Sequence, residues 1–317
     1  CPRGAAACQP PRMPIRPAPM RCTLAATVLA VCLAGCSAPT LPFARLSGLV
    51  TSKQLDEISG LAASRAHPGT LWAINDSGNP ARLYAISARG RLLARFDVRG
   101  AKNIDWEDLA SFDLEGRHYL LVADTGDNGG LRRDIALHVF EEPATLADGT
   151  LRPAWTIRAR WPDGPRDVEA VAVDARAGKV LLVSKKRKPP ELFVLPLADP
   201  GREVQEPRRI GRLAGVPEAD PGLQRNEPKL ARLSPQVTAA DLSPDGRTLA
   251  VLTYGSVLFY RRDPGQDWRE AVAATPEAHD VPLIPQAEAL AWTTGGAGLY
   301  ATGEFNPAPI FYLSPAR

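Results

Sequence analysis

Cysteine, histidine and several common catalytic motifs are scarce or missing in the main part of this chain. All five cysteines lie between Cys1 and Cys36, and the rest of the 317-residue sequence has none. A disulfide scaffold and a cysteine-ligated zinc or iron–sulfur site are therefore excluded for the main domain. The four histidines are scattered, and the sequence has no His-Glu-x-x-His, no Gly-x-Ser-x-Gly and no phosphate-cradling glycine loop before a helix. These absences argue against a zinc peptidase, an ordinary serine hydrolase and a P-loop enzyme.

An excess of charge of one sign is also lacking. The chain has 38 basic and 35 acidic residues, and four of the basic ones are arginines in the first 35 residues, which contain no acid. The remainder is thus nearly neutral, so we expect no nucleic-acid partner. A hydrophobic content of 44% with 23% charged residues is typical of a globular protein, which we expect to be monomeric.

The N-terminal segment resembles an export signal. Residues 1–19 are rich in proline, arginine and alanine and are expected to be upstream, non-native sequence. We interpret residues 20–35 as a signal peptide, because Met20-Arg21 precedes an apolar run that is too short to span a bilayer. Residues 36–43 are then a linker, and residues 44–317 form the main domain.

The end of the apolar run, Leu33-Ala34-Gly35-Cys36, resembles a bacterial lipobox. The resemblance implies lipidation of Cys36, and the following Ser37 favours the outer membrane, with the domain facing the periplasm. The membrane would thus be a partner through the lipid anchor. The alternative is an ordinary signal peptide that contains a cysteine by chance.

A degenerate repeat runs through the main domain. Its anchor positions are spaced 48, 62, 71 and 48 residues apart. The anchors are Leu61, Leu109, Val171, Leu242 and Leu290. Short β-rich runs follow each anchor and helical periodicity is almost absent, which is typical of propeller blades of 40–50 residues with added loops.

We therefore predict an all-β, five-bladed β-propeller, with six blades and an open β-sandwich as alternatives. The last unit has only three strands, so residues 44–50 are predicted to supply its outer strand and close the ring. The polar, proline-rich stretch 216–235 is interpreted as an insertion.

The innermost strand of each propeller blade lines a central channel, and the repeat predicts a column of side chains along it. This column is Ser59, Glu107, Glu169, Ala240 and Glu288, with Thr238 and Asp241 as alternatives near the fourth position. Converging carboxylates repel one another unless a cation lies among them, and oxygen ligands suit a hard cation. A bound cation and a wet channel with solvated acids both remain open from the residues alone.

Polar residues also recur where the second strands end, on the face where the inner strands begin. Asp124 and Asp127 are predicted to hold a second cation or to orient a water molecule as general base. Lys185, Arg132 and Tyr254 are predicted to neutralise a phosphate. Since turns use the same residue types, a solvated polar surface is the alternative.

The motifs Asn75-Asp76-Ser77-Gly78, Asp105-Trp106-Glu107-Asp108 and Asp124-x-Gly126-Asp127-Asn128 resemble those of secreted bacterial β-propellers loosely related to phytase-like propellers. A weaker likeness is to the calcium-activated apyrases, five-bladed propellers in which Ser and Glu side chains surround a central Ca²⁺. That likeness implies a Ca²⁺ site here, made by Ser59, Glu107, Glu169, either Thr238 or Asp241, and Glu288. The apyrases' other nucleotide-handling motifs are missing, so nucleotide hydrolysis is not implied.

Two functional hypotheses follow. The first is a periplasmic, calcium-binding lipoprotein that binds or hydrolyses a phosphorylated small molecule, as a calcium-dependent phosphoester hydrolase would. The second is a non-enzymatic envelope scaffold or ligand-binding propeller with a structural cation and a protein partner.

Overall fold

The computed structural model describes residues 43–281 and 284–314, and these form five small sheets arranged as a five-bladed β-propeller. The fold class predicted from the repeat is thus confirmed. The leader, including Cys36, lies outside the described residues. Within them, no helix is long and apolar enough to cross a membrane.

Each blade is an antiparallel sheet whose first strand lies innermost. Blade 1 consists of β2 (Ile58–Ala63), β3 (Thr70–Asn75), β4 (Arg82–Ser87) and β5 (Leu92–Val98). Blade 2 consists of β6 (Trp106–Leu114), β7 (Arg117–Asp124), β8 (Asp134–Glu141) and β10 (Trp155–Arg160). Blade 3 consists of β11 (Val168–Asp174), β12 (Lys179–Ser184), β13 (Glu191–Pro196) and β15 (Arg208–Arg212).

The last two blades follow the same plan. Blade 4 consists of β16 (Val237–Leu242), β17 (Thr248–Thr253), β18 (Ser256–Arg261) and β19 (Glu277–Asp280). Blade 5 consists of β20 (Ala287–Trp292), β21 (Leu299–Gly303), β22 (Ala308–Leu313) and β1 (Ala44–Val50). Because β1 pairs antiparallel with β22, from Ala44 opposite Leu313 to Val50 opposite Ala308, the first strand of the domain closes the ring as predicted.

Two short strands connect consecutive blades. The strand β9 (Gly149–Leu151) lies in the loop between β8 and β10 but pairs in parallel with β5 of blade 1. The strand β14 (Val204–Gln205) precedes β15 of blade 3 but pairs in parallel with β10 of blade 2. Each of these blades therefore reaches back to the outer edge of the one before it.

The hydrophobic core consists of five clusters, one between each pair of neighbouring blades. Every residue of the inner strand Ile58–Ala63 is buried, as is every residue of Val168–Asp174. Strands packed on both faces need apolar side chains in continuous runs, which explains the anchor pattern in the sequence.

Short helices occupy the connections between blades 3 and 4 and within blade 4. They are α1 (Pro221–Asn226), α2 (Pro228–Leu233) and α3 (Trp268–Ala273), with a 3₁₀ turn at Ala175–Ala177. The first two lie in the stretch 216–235, which forms no sheet and is an insertion, as the sequence predicts.

Candidate cation-binding site at the channel mouth

A β-bulge occurs at the start of every inner strand, and the bulged residues form the channel column. They are Ser59, Glu107, Glu169, Thr238 and Glu288. A bulge inserts one unpaired residue and re-aims its side chain. The channel mouth is our name for the face on which these residues lie. It includes the loops that precede the inner strands and the loops that follow the second strands.

The fourth member of the column is Thr238 and not Ala240, which corrects the alignment drawn from the sequence. Because Ala239 pairs with Leu252, Thr238 is the bulged residue. The anchor of this blade is therefore Ala240, two residues before Leu242.

Asp241 lies further along the same strand and does not belong to the column. Its two carboxylate oxygens accept hydrogen bonds from the backbone N–H groups of Leu242 (2.8 Å) and Trp292 (2.7 Å). Burial raises the pKa of Asp241 to about 7.

The two hydroxyl-bearing members of the column bind the neighbouring inner strand. Ser59 donates to the carbonyl of Trp106 at 2.8 Å, and Thr238 donates to the carbonyl of Ala287 at 2.7 Å. Each acceptor immediately precedes a bulged glutamate, Glu107 or Glu288. Each hydroxyl therefore holds the backbone directly before a column glutamate, Glu107 for Ser59 and Glu288 for Thr238.

Two overlapping groups of carboxylates lie at the channel mouth. Asp76, Asp105 and Glu107 each offer an oxygen within 4.8 Å of the others, and so do Glu107, Asp167 and Glu169. Asp76 follows β3 and Asp105 precedes β6. Both belong to motifs found in the sequence, although the column alone does not predict them as ligands.

Two buried oxygens in these groups have neither a hydrogen-bond nor an ion-pair partner in the described part of the chain. They are Oε1 of Glu107 and Oε1 of Glu169, and these two residues are only 3% and 2% exposed. Because buried polar groups are nearly always paired, an unpartnered oxygen facing other carboxylates indicates a site for a cation or a shared proton.

The electrostatics of the group agree with its burial. Burial, followed by repulsion from Glu169, raises the pKa of Glu107 well above its usual range. Burial also raises the pKa of Glu169 to about 8, despite the opposing effect of Lys185, and that of Asp76 to about 6. Burial raises the pKa of Asp105 as well. Each charged carboxylate is thus costly here unless a cation lies beside it.

Lys185 supplies one positive charge to this cluster. Its Nζ lies 2.9 Å from Oε2 of Glu169 and 3.9 Å from Oε1 of Glu288, to which Tyr254 donates a hydrogen bond. Burial alone would lower the pKa of Lys185, but the two glutamates outweigh it and raise the pKa. Lys186 is more exposed and pairs with Asp167 of the second group at 2.7 Å. The structure therefore brings Lys185 and Tyr254 to the glutamates of the column, while their predicted role in neutralising a phosphate stays a prediction.

The other residues predicted at the channel mouth have local partners of their own. Asp124 is 1% exposed, lies 2.7 Å from Nη1 of Arg132 and accepts a hydrogen bond from the N–H of Asp105 at 3.1 Å. Asp127 accepts from the N–H groups of Leu131 (2.8 Å) and Arg132 (2.9 Å). The structure therefore does not bring these carboxylates into the cluster around Glu107.

One further carboxylate of the motif Asp105-Trp106-Glu107-Asp108 connects three inner strands, a role that the sequence does not predict. Asp108 is fully buried, and its oxygens accept hydrogen bonds from the N–H groups of Leu109 (2.8 Å), Val171 (2.8 Å) and Ala240 (3.1 Å). These donors belong to blades 2, 3 and 4. A single side chain thus satisfies backbone groups that would otherwise be left unpaired inside the ring.

A scan against protein-family models and a search of curated proteins both returned no match for this chain.

Proposed function

We propose that this propeller binds a divalent cation between Asp76, Asp105 and Glu107 and, beside it, a phosphorylated small molecule. The observation that carries the proposal is the unpartnered Oε1 of Glu107, buried and within 4.8 Å of oxygens from two other carboxylates. Carboxylate oxygens are the donors that Ca²⁺ and other hard cations prefer.

The alternative of solvated acids fits this position poorly. The residue Glu107 is only 3% exposed, so water cannot compensate its charge. Lys185 reaches Glu169 and Glu288 but no ion pair joins it to Glu107 within the described residues. Within residues 43–281 and 284–314, no lysine or arginine forms an ion pair with any of the three carboxylates of the proposed site, and a divalent ion would supply the missing positive charge.

Basic side chains beside the channel mouth support the phosphorylated ligand. Arg187 and Lys188 are more than half exposed, form only long ion pairs with Glu191 (4.0 Å) and Glu218 (3.8 Å), and line a cavity of about 400 Å³ that Lys185 also lines. A phosphate in this cavity would meet positively charged side chains, which form strong, charge-assisted hydrogen bonds with its oxygens.

Cation binding is tested by calorimetry and thermal unfolding of the purified protein with Ca²⁺, Mg²⁺ or Mn²⁺ after treatment with EDTA. Ca²⁺ at one hundred times its dissociation constant should stabilise the native state by about 2.7 kcal/mol. Glu107→Gln should abolish this gain. The matched control Glu141→Gln, at an exposed position paired with Arg117, should retain it. A wild-type protein that responds to no divalent ion would refute the proposal.

A panel of phosphoesters then separates an enzyme from a binding protein. Cation-dependent turnover that is lost in Glu107→Gln would establish a phosphoester hydrolase. Cation-dependent binding of the same compounds without turnover would establish a binding propeller, in line with the scaffold hypothesis. If neither occurs although the cation binds, the cation is structural and the phosphorylated ligand is wrong.

We also propose, from the leader sequence alone, that the protein is a lipoprotein anchored at Cys36 to the outer membrane and facing the periplasm. Labelling of the cells with a radioactive fatty acid tests this. The label should enter the wild-type protein and be absent from Cys36→Ser, and equal labelling of the two would contradict the anchor.

A further inference from the structure

A cleft of about 710 Å³ lies beside the outer strands of blade 2 and is separate from the carboxylates around Glu107. Its walls come from β8, β10 and β14 and from the loop between β5 and β6. Asp124 and Arg132, which the sequence assigns to phosphate chemistry, lie at this cleft. The cation site leaves both of them without a role in binding.

Apolar side chains make up much of the cleft wall. Ile104 and Val204 are 60% and 54% exposed, which is unusual for large aliphatic residues, and both line the same cleft. Ala136 of β8, which lies opposite Arg158 of β10, also lines the cleft. Exposed apolar residues that share a concave surface are typical of a ligand site, whereas single ones are not.

A few polar groups converge in the same cleft. His138 is 7% exposed, and its Nδ1 lies 3.1 Å from the hydroxyl of Thr156. Its Nε2 lies 3.9 Å from Oδ2 of Asp124, which is too far for a hydrogen bond. The ring is thus held on one side and keeps hydrogen-bonding capacity on the other. A mostly apolar pocket with a few placed polar groups fits a small organic ligand.

The charges around the cleft favour an anion. Asp124 is compensated by Arg132 at 2.7 Å, and Asp134 is compensated by Arg160 at 2.6 Å. Lys102 and Arg158 also line the cleft or its edge, and no carboxylate of residues 43–281 or 284–314 lies within ion-pair distance of either. The cleft therefore carries two uncompensated positive charges.

We propose that this cleft binds an anionic amphiphile, a small molecule with an apolar chain or ring and one carboxylate. The apolar part packs against Ile104, Ala136 and Val204. The carboxylate binds Lys102 and Arg158, whose positive charges are unpaired at the edge of the cleft. Neither contact involves the carboxylates of the proposed cation site, so binding requires no divalent ion.

Decanoate is the probe, with decan-1-ol and decyltrimethylammonium as ligands of the same chain length but different charge. Calorimetry and displacement of a fluorescent anilinonaphthalene sulfonate from the wild-type protein, both in EDTA, measure their affinities. Decanoate should bind about tenfold more tightly than the alcohol, the difference expected for one charge-assisted hydrogen bond. The cationic amphiphile should not bind measurably. Equal affinities for decanoate and the alcohol would overturn the anionic specificity.

Location is tested with Val204→Asp, which places a negative charge in the cleft wall. The matched control is Leu230→Asp, because Leu230 is 53% exposed and lies on α2, away from the cleft. Val204→Asp should reduce the affinity for decanoate at least tenfold and the control should not. If Val204→Asp fails to fold, Ile104→Asp in the loop replaces it. Unchanged affinity in a folded cleft variant would refute the site.

Discussion

Replacement of Lys185 by methionine tests the electrostatics of the channel mouth most directly. Methionine keeps most of the side-chain length but removes the charge that lies 2.9 Å from Glu169 and 3.9 Å from Glu288. The residue Lys185 is only 9% exposed, so water cannot replace the lost cation. Removal of one partner from a buried ion pair costs about 3–5 kcal/mol, and we expect a loss near the lower value at pH 8.

The loss should depend on pH in a defined direction. The pKa of Glu169 is already raised to about 8, and without Lys185 it should rise further, because Lys185 lowers it. At pH 5 Glu169 takes up a proton, and its repulsion of the neighbouring carboxylates disappears. The cost of the substitution should therefore shrink to about 1 kcal/mol at pH 5.

Urea unfolding of the wild type and of Lys185→Met, at both pH values and in EDTA, measures these differences. The control is Lys179→Met, at an exposed position at the start of β12. It should change the free energy of unfolding by less than about 0.5 kcal/mol at either pH. A loss for Lys185→Met that matches the control, or that is equal at pH 5 and pH 8, would refute the assignment of Lys185 as the internal cation.

Three further predictions concern the same region. Asp108→Asn should lower the free energy of unfolding by about 2–3 kcal/mol, because an amide offers one acceptor where the carboxylate serves three N–H donors; urea unfolding measures it. Gly126→Ala should abolish Ca²⁺ binding in calorimetry, since its Cβ would overlap Oε1 of Glu107, while Gly129→Ala, which has ordinary contacts, should not. For the metal-free protein, the raised pKa of Glu169 gives stability that is present below about pH 4.5 and is lost as the pH rises through about 8. The melting temperature should fall between pH 5 and pH 9, and a rise would contradict it.

The ring and its closure could be predicted because they depend on periodic patterns. Buried inner strands recur at blade spacing, and the last blade lacks a strand that residues 44–50 can supply. The alignment of blade 4 failed for a local reason. Ala239-Ala240-Asp241-Leu242 imitates the anchor pattern, and only the pairing of Ala239 with Leu252 shows that the bulge falls at Thr238.

The side-chain partners at the channel mouth could not be predicted in the same way. Lys185 and Lys186 are adjacent in sequence, but one pairs with Glu169 of the channel column and the other with Asp167, which precedes the inner strand β11. Asp124 ends a second strand as expected, yet its partner is Arg132 and not a cation site. Choices of this kind depend on distances between blades, which sequence spacing does not contain.

The closing strand also determines how the domain responds to mechanical force. The N–H of Ser314 donates to the carbonyl of Phe43 at 2.7 Å, and Ala44 lies opposite Leu313, so the chain enters and leaves at the same end of one ladder. Tension between these two points loads the hydrogen bonds one pair at a time, as in the opening of a zipper, and not all together in shear. Blade 5 should therefore be the first to yield under a pulling force, and its loss opens the ring.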